Sequence, residues 1–431
     1  MHKKKIISII LVIVILEGLF TEKIMFIYAS AEQRNSSQNI NENVLPVEIW
    51  DGETTTTPEL IGYEYKIYSA SELAWFAKEV NSGNSFDGKT IYISGNINLN
   101  GHDWFVIGLS DFDNPIEIKG NIVIQNALIS GLYISENNGM CNGLFGSVLI
   151  NDIFIDGLIM DDVEIFGSSY GGFLFGNIEI SRNGNCVIQN SSLKGKASSN
   201  VSCGAIAGQF IGYGDNSQIS LVNCKLSIES IEDYETWYGR KNSALKAGVI
   251  AKCYTQAKKC AIVMNGVTCD VSLKSIDEYG YHSSVAAGII GILEGTSNVY
   301  LYQCQVDGNI YSKGYCGYAG GIIGKMIGCN IYKQSDCVVT ASLESHWNAY
   351  GFPWDSAGFI GAITDMKPDG FIRNSYYAGK TETALAFISK DAVKGDKIKI
   401  YNSYYDKNLL VTSNVDERNV FHADNGCWEI R

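Results

Sequence analysis

Apolar and polar residues alternate along this chain in short runs. Ile219 and Leu221 are two residues apart, Val299 and Leu301 likewise, and Ile331 opens a similar run. Alternation with period two over four to eight residues predicts strands with one buried face. A second pattern punctuates the runs: a small residue, two or three apolar residues, and a small residue again. It reads CNGLFG ending at Gly146, GGFLFG at Gly176, CGAIAG at Gly208, KAGVIA at Ala251, AAGIIG at Gly291, AGGIIG at Gly324 and SAGFIG at Gly361. The leading glycines, Gly143, Gly172, Gly204, Gly248, Gly288, Gly321 and Gly358, stand 29, 32, 44, 40, 33 and 37 residues apart. A period of that size marks stacked units, and its unevenness says that loops vary while the unit persists.

A second landmark moves with the first. The segments SLVNCKL, NGVTCDV, LYQCQV and QSDCVV place Cys224, Cys269, Cys304 and Cys337 in a Cys-x-apolar pattern, 20, 21, 16 and 16 residues after the preceding glycine. Ser191 and Ser375 take the same place at 19 and 17 residues. Short strands that repeat without hairpin turns must pair in parallel, so each return crosses over; a chain that crosses over by coiling about an axis stacks every unit on the last. The prediction is an all-β, parallel β-helix. Small residues in the glycine motif let one coil bend and sit ~4.8 Å from the next. The core of such a chain grows along one axis, so its 431 residues do not translate into a domain count.

Only one segment departs from this pattern strongly. SASELAWFAKEV puts Leu73, Phe76, Ala77 and Val80 on one helical face, with Ser69 and Glu72 spaced as a capping box. It reads as a short N-terminal helix over the open end of the first coil, where bare strand edges would otherwise invite pairing with another chain. Before it, residues 1–31 read as a signal peptide: Lys3, Lys4 and Lys5, the apolar run Ile6 to Leu16, and Ala29, Ser30 and Ala31 as a cleavage site. Retention of the segment as a membrane anchor stays open. Residues 32–46 read as a polar linker, 47–110 as an N-terminal cap and leading coil, and 111–431 as the repeat β-helix, with Phe421 and Trp428 in a closing coil.

The sequence is similar to GLUG-motif bacterial surface and secreted proteins. The resemblance rests on the G-apolar-apolar-G motif followed by apolar-x-Asn-Cys/Ser, on RNSYYAGK and YNSYYDKN near the end, and on the block beginning WDGETTTTPELIGYEYKIYSASELAWFAKEV, and it covers roughly residues 48–431. It implies a right-handed parallel β-helix on the outside of a bacterium, secreted or held at the cell surface. It implies no particular activity.

Charge narrows the partners. The formal net charge is -13, and removing residues 1–31, with four lysines and two glutamates, leaves -15. An acidic, exported chain is a poor nucleic-acid binder. A membrane partner is expected only through an uncleaved N-terminal segment. Twelve cysteines in an exported chain raise the question of disulfides. Neighbouring rungs bring Cα atoms within bridging range, but stacked side chains point the same way; buried thiols acting as small apolar ladder residues and real disulfides both remain open. No CxxC pair, HExxH, GxSxG or P-loop occurs, so no cofactor, metal or catalytic residue is expected. Asp161 and Asp162 are adjacent but read as a solvated turn.

One feature stands out. The longest insertions all fall between the cysteine strand and the next glycine motif, and stacking should line them along one edge of the solenoid. That edge gathers Tyr234, Trp237, Tyr238, Tyr279, Tyr281, Trp347, Tyr350 and Trp354 as candidate ligand-binding residues, with His282, Tyr315, Tyr318 and several carboxylates, Glu344 included, among them. Flat rings with polar tips suit sugar faces, protein partners, or packing against each other over coil edges. Two functional classes follow: a non-enzymatic adhesin or interaction scaffold that binds a glycan or a host or bacterial surface protein, and a polysaccharide lyase or glycoside hydrolase on a β-helix. A groove joining two or more carboxylates and a basic residue favours the second; a convex, irregular loop edge favours the first.

Overall fold

The computed structural model describes residues 49–108, 113–135, 139–230, 245–256, 259–276, 283–314, 316–347, 356–364, 368–380, 387–388 and 398–405. The chain divides into two units, Met1–Pro46 and Val47–Arg431, and every described residue falls in the second.

Each coil contributes strands to three parallel sheets. The coil that starts at Ala207 gives Ala207–Gly212 to a post-glycine sheet, Gln218–Val222 to a middle sheet, and Lys225–Ser230 with Leu245–Ala247 to a pre-glycine sheet. Its neighbours pair with it in register on both sides, for example Ile219 with Cys186 and Ile262. Among the described residues the middle sheet stacks eleven strands, from Glu64–Ile67 to Ile398–Tyr401. At ~4.8 Å per rung that column rises roughly 48 Å. The chain is therefore the all-β parallel β-helix that the alternation and the glycine period predict.

The period-two pattern fixes what fills it. Ile91, Ile122, Ile153, Cys186, Ile219, Ile262, Val299 and Tyr332 occupy one position on successive rungs and are all buried. Each large apolar side chain so placed contributes about 1.5–3 kcal/mol by leaving water. Ile331, expected in this ladder, faces outward instead; Tyr332 takes its place, and its buried hydroxyl donates to Gln334 Oε1 at 2.5 Å. A polar pair is tolerated there because Gln334 passes the chain of bonds on to Ser375 Oγ at 3.4 Å.

The helix, α1, spans Ala70–Asn81. Glu72 N donates to Ser69 Oγ at 3.3 Å and Ser69 N donates to Glu72 Oε2 at 3.1 Å, completing the capping box. Leu73, Phe76, Ala77 and Val80 are buried in the solenoid core, with the Phe76 and Phe86 rings 5.2 Å apart. At the same end, Glu59–Ile61 pairs antiparallel with Glu64–Ile67, so the parallel stack ends in a hairpin.

Three corners join the three sheets, and two of them are built in opposite ways. Between the middle and pre-glycine sheets, one residue per coil is left-handed: Asn126, Gly157, Asn190, Asn223, Gly266, Gln303, Asp336, Asn374 and Asn402, with φ between 43° and 70°. Asn, Asp and Gly accept this conformation at least cost. The next residue points inward and is buried: Ala127, Leu158, Ser191, Cys224, Val267, Cys304, Cys337, Ser375 and Ser403. Where it is Ser or Cys, it donates back to the carbonyl two residues earlier, as in Ser191 to Gln189 O at 2.7 Å, Cys304 to Tyr302 O at 3.4 Å and Ser375 to Arg373 O at 2.9 Å. The landmark is thus a turn closure that either hydroxyl or thiol can make.

This geometry corrects one alignment. Cys269 is not equivalent to Cys224; Val267 is, and Cys269 pairs in register with Leu226 and Val306 one ladder further on. In that coil Gly266 takes the left-handed position and Val267 follows it, so no side chain closes the turn.

At the second corner the glycines have ordinary φ values, and closeness is what requires them. A Cβ on Gly288 would lie 2.2 Å from Gly321 O and 2.4 Å from Val306 Cγ1; on Gly324, at the other end of its motif, it would lie 2.4 Å from Val285 Cγ1. The first glycine meets the following coil and the second meets the outer face of the pre-glycine sheet. The corner is therefore re-entrant: outward side chains on either side of it pack on each other. Val285, Tyr318 and Ala362 form a small buried cluster with Leu245 and Ile292, and Lys325 Nζ stands 4.7 Å over the Tyr318 ring.

Candidate functional site

Of the eight candidate ligand-binding aromatics, Tyr234, Trp237, Tyr238, Tyr279, Tyr281, Tyr350 and Trp354 lie outside the described residues. Trp347 is placed only by its backbone, at the end of the strand Ser342–Trp347, paired with Gly314. The strands flanking the insertions do stack: Ala197 pairs with Ser230, and Lys313 with both Ile276 and His346. Tyr318 is no part of an open edge, since it is buried in the re-entrant corner. Glu344 sits on a strand and pairs with His346, whose ring lies 5.5 Å from Tyr311.

The structure instead shows a groove that the sequence reading did not assemble. It crosses four neighbouring strands of the pre-glycine sheet, Ile159–Gly172, Ser192–Gly204, Lys225–Ser230 and Thr268–Ile276, and has a volume of about 420 Å³. Two outward columns form its walls. Lys194, Ser227 and Asp270 follow one another in register, as do Glu164, Lys196, Glu229 and Ser272. Between the columns Val163, Gly195 and Ile228 turn inward, and Gly195 is held bare because a Cβ would lie 2.4 Å from Val163 O.

Asp161 and Asp162 enter through a β-bulge rather than the turn expected for them. Met160 pairs with Leu193 and Val163 with Gly195, so two residues stand opposite Lys194 alone, and Asp162 is left-handed at φ 58°. The extra residue leaves two exposed aspartates opposite one lysine in the register, with Asp162 N donating to Asp161 Oδ1 at 3.1 Å. The groove thus holds Asp161, Asp162, Glu164, Glu229 and Asp270 against Lys194 and Lys196, a formal net charge of -3. The Lys196–Glu229 ion pair, at 3.5 Å with both side chains about half exposed, adds little stability. Nothing local in the sequence marks Lys194, Lys196, Glu229 and Asp270, because they are ordinary outward positions of separate strands. Only the register between SLKGKAS, KLSIES and TCDVSLK makes them neighbours.

Other candidate chemistry falls away among the described residues. Ten cysteines are buried thiols not joined in disulfides. Burial pushes the Cys224 and Cys260 thiols up to about 11 and Cys329 to about 12, so none of these three is a ready thiolate nucleophile. No described group of three or more His, Cys, Asp or Glu could hold a metal ion, and no described helix is long and apolar enough to cross a membrane. Compared with known proteins, the chain matches no family model, no curated protein and no solved structure.

Proposed function

We propose that this protein is an exported, non-enzymatic β-helix of the GLUG-motif type that works at the cell surface or beyond it and binds an extended glycan. The observation that carries the reading is the mixed-charge groove on the pre-glycine sheet. Its carboxylates accept hydrogen bonds from sugar hydroxyls, its lysines donate them, and a rigid sheet holds both without a folding cost on binding. The N-terminal apolar run with its basic start supports export.

A second reading, polysaccharide cleavage, is favoured by the same groove, because carboxylates and lysines converge there. The binding reading leads on burial. Glycosidases make a general acid by desolvating one carboxyl of a pair, whereas four of the five groove carboxylates are exposed and Glu164 is half-buried. The test is a glycan array followed by incubation with each bound polysaccharide. Retention of a glycan, weakened at least tenfold by Lys194→Gln with Asp270→Asn and without chain shortening, is the expected result. Shortening of the polysaccharide that stops in Asp270→Asn would establish the enzyme instead.

A further inference from the structure

On a different face, the last four rungs of the middle sheet carry an alternation of rings and cations. Tyr300, Lys333, Phe371 and Lys399 follow one another in register along one outward column. Two residues along each strand, a second column runs Tyr302, Ser335, Arg373 and Tyr401. Arg373, Lys399 and Tyr401 are exposed and the other rings and Lys333 are half-exposed. The cations lie over one face of two rings: Lys333 Nζ is 5.6 Å from the Tyr300 centroid, and the Arg373 guanidinium is 5.1 Å from that of Phe371. Arg373 Nε also donates to Ser335 Oγ at 3.2 Å.

Among the described residues no carboxylate pairs with Lys333, Arg373 or Lys399. The nearest acids on the sheet and its turn are Asp369, at the start of the Phe371 strand, and Asp336, which accepts from Asn374 and Ser335. Three cations with no carboxylate partner among the described residues thus share one face of a chain of net charge -13. We infer that this face is a binding site for an acidic polysaccharide, one whose repeat alternates a neutral sugar with a uronate. Rings in the first column recur every second rung, about 9.6 Å apart, with a cation on the rung between. Neutral sugars would stack on the rings while the carboxylates meet the cations. A densely charged strand such as nucleic acid fits less well, because the field of the whole acidic chain repels it and only three cations oppose that field.

The experiment titrates the full chain with hyaluronan, with its carboxyl-reduced form and with oligo-dT by calorimetry. The expected result is hyaluronan binding that weakens as salt is raised, with at least tenfold weaker binding of the carboxyl-reduced form and of oligo-dT. The triple variant Lys333→Gln, Arg373→Gln, Lys399→Gln should lose at least tenfold in affinity, and Phe371→Leu at least threefold, while Lys89→Gln with Lys119→Gln binds as the parent does. Should the triple variant misfold by circular dichroism, Lys333→Gln with Lys399→Gln leaves the Arg373 contacts intact and must still lose affinity. Unchanged affinity in the folded cation variants, equal binding of the reduced polymer, or no binding of hyaluronan overturns the inference. Tighter binding of oligo-dT would assign the face to nucleic acid. The groove substitutions Lys194→Gln and Asp270→Asn test the other site, so the two readings fail separately.

Discussion

Two of the three corners of each coil solve the same problem, reversing the chain within a few residues, by opposite means. The left-handed corner tolerates variety: Asn, Asp, Gly and Gln all occupy it, and Ala, Leu, Ser, Cys or Val follow. The re-entrant corner tolerates almost none, because backbone from one coil lies against backbone of the next. The first constraint is conformational, a cost of about 1–2 kcal/mol for an unsuited residue. The second is excluded volume in a packed interior, where one added methyl has nowhere to go. That difference explains why the glycine motif is the sharper landmark along the chain.

Substitutions can break or sharpen this contrast. The largest effect is expected at Gly288→Ala, where the new methyl meets the Gly321 carbonyl and Val306. Destabilisation of about 3 kcal/mol or more, read from urea unfolding, is expected; a loss under about 1 kcal/mol would show that the corner can open and the contrast is false. Cys269→Ser should follow at about 2 kcal/mol, since among the described residues the Cys269 thiol, in register with Leu226 and Val306, makes no hydrogen bond for a hydroxyl to inherit.

At the left-handed corner, Asn223→Ala should cost about 1 kcal/mol by forcing an unsuited residue to φ 53° and removing the Asn223 bond to Asn190, while Asn223→Gly stays within about 0.5 kcal/mol. Equal losses in the two variants would mean that the side-chain bond, not the backbone conformation, sets the preference. The smallest effect is expected at Cys304→Ser, within about 0.5–1 kcal/mol, because the hydroxyl inherits the bond to Tyr302 O as Ser191 and Ser375 already do at their own turns. The pair Cys269→Ser and Cys304→Ser is the finest test, since both put the same atom into a buried ladder and differ only in whether an acceptor waits there.

Much of the fold was legible in the chain. Period-two alternation identified strands, the glycine interval identified a coil, and Ser69 with Glu72 located the cap of α1. What failed did so for a physical reason. Counting from one glycine to the next cysteine aligned Cys269 with Cys224, because loop lengths vary and only hydrogen-bond register says which residues stack. Ile331 looked inward on hydrophobicity alone, yet the strand's phase places Tyr332 there. The bulge at Asp162 was invisible because inserting one residue into a strand leaves its composition unchanged.

The sequence by itself determined the repeating unit, its strands and the places where a side chain is forbidden, since these follow from local alternation and from residues within one coil. Only the tertiary structure decided which outward residues become neighbours. Lys194 and Asp270 are 76 residues apart in the chain yet two rungs apart in the groove, and Tyr300 and Lys399 are separated by 99 residues but share one column. Outward positions are under little packing constraint, so nothing in their local pattern encodes the register, and register is set by the inward ladders that bury the core.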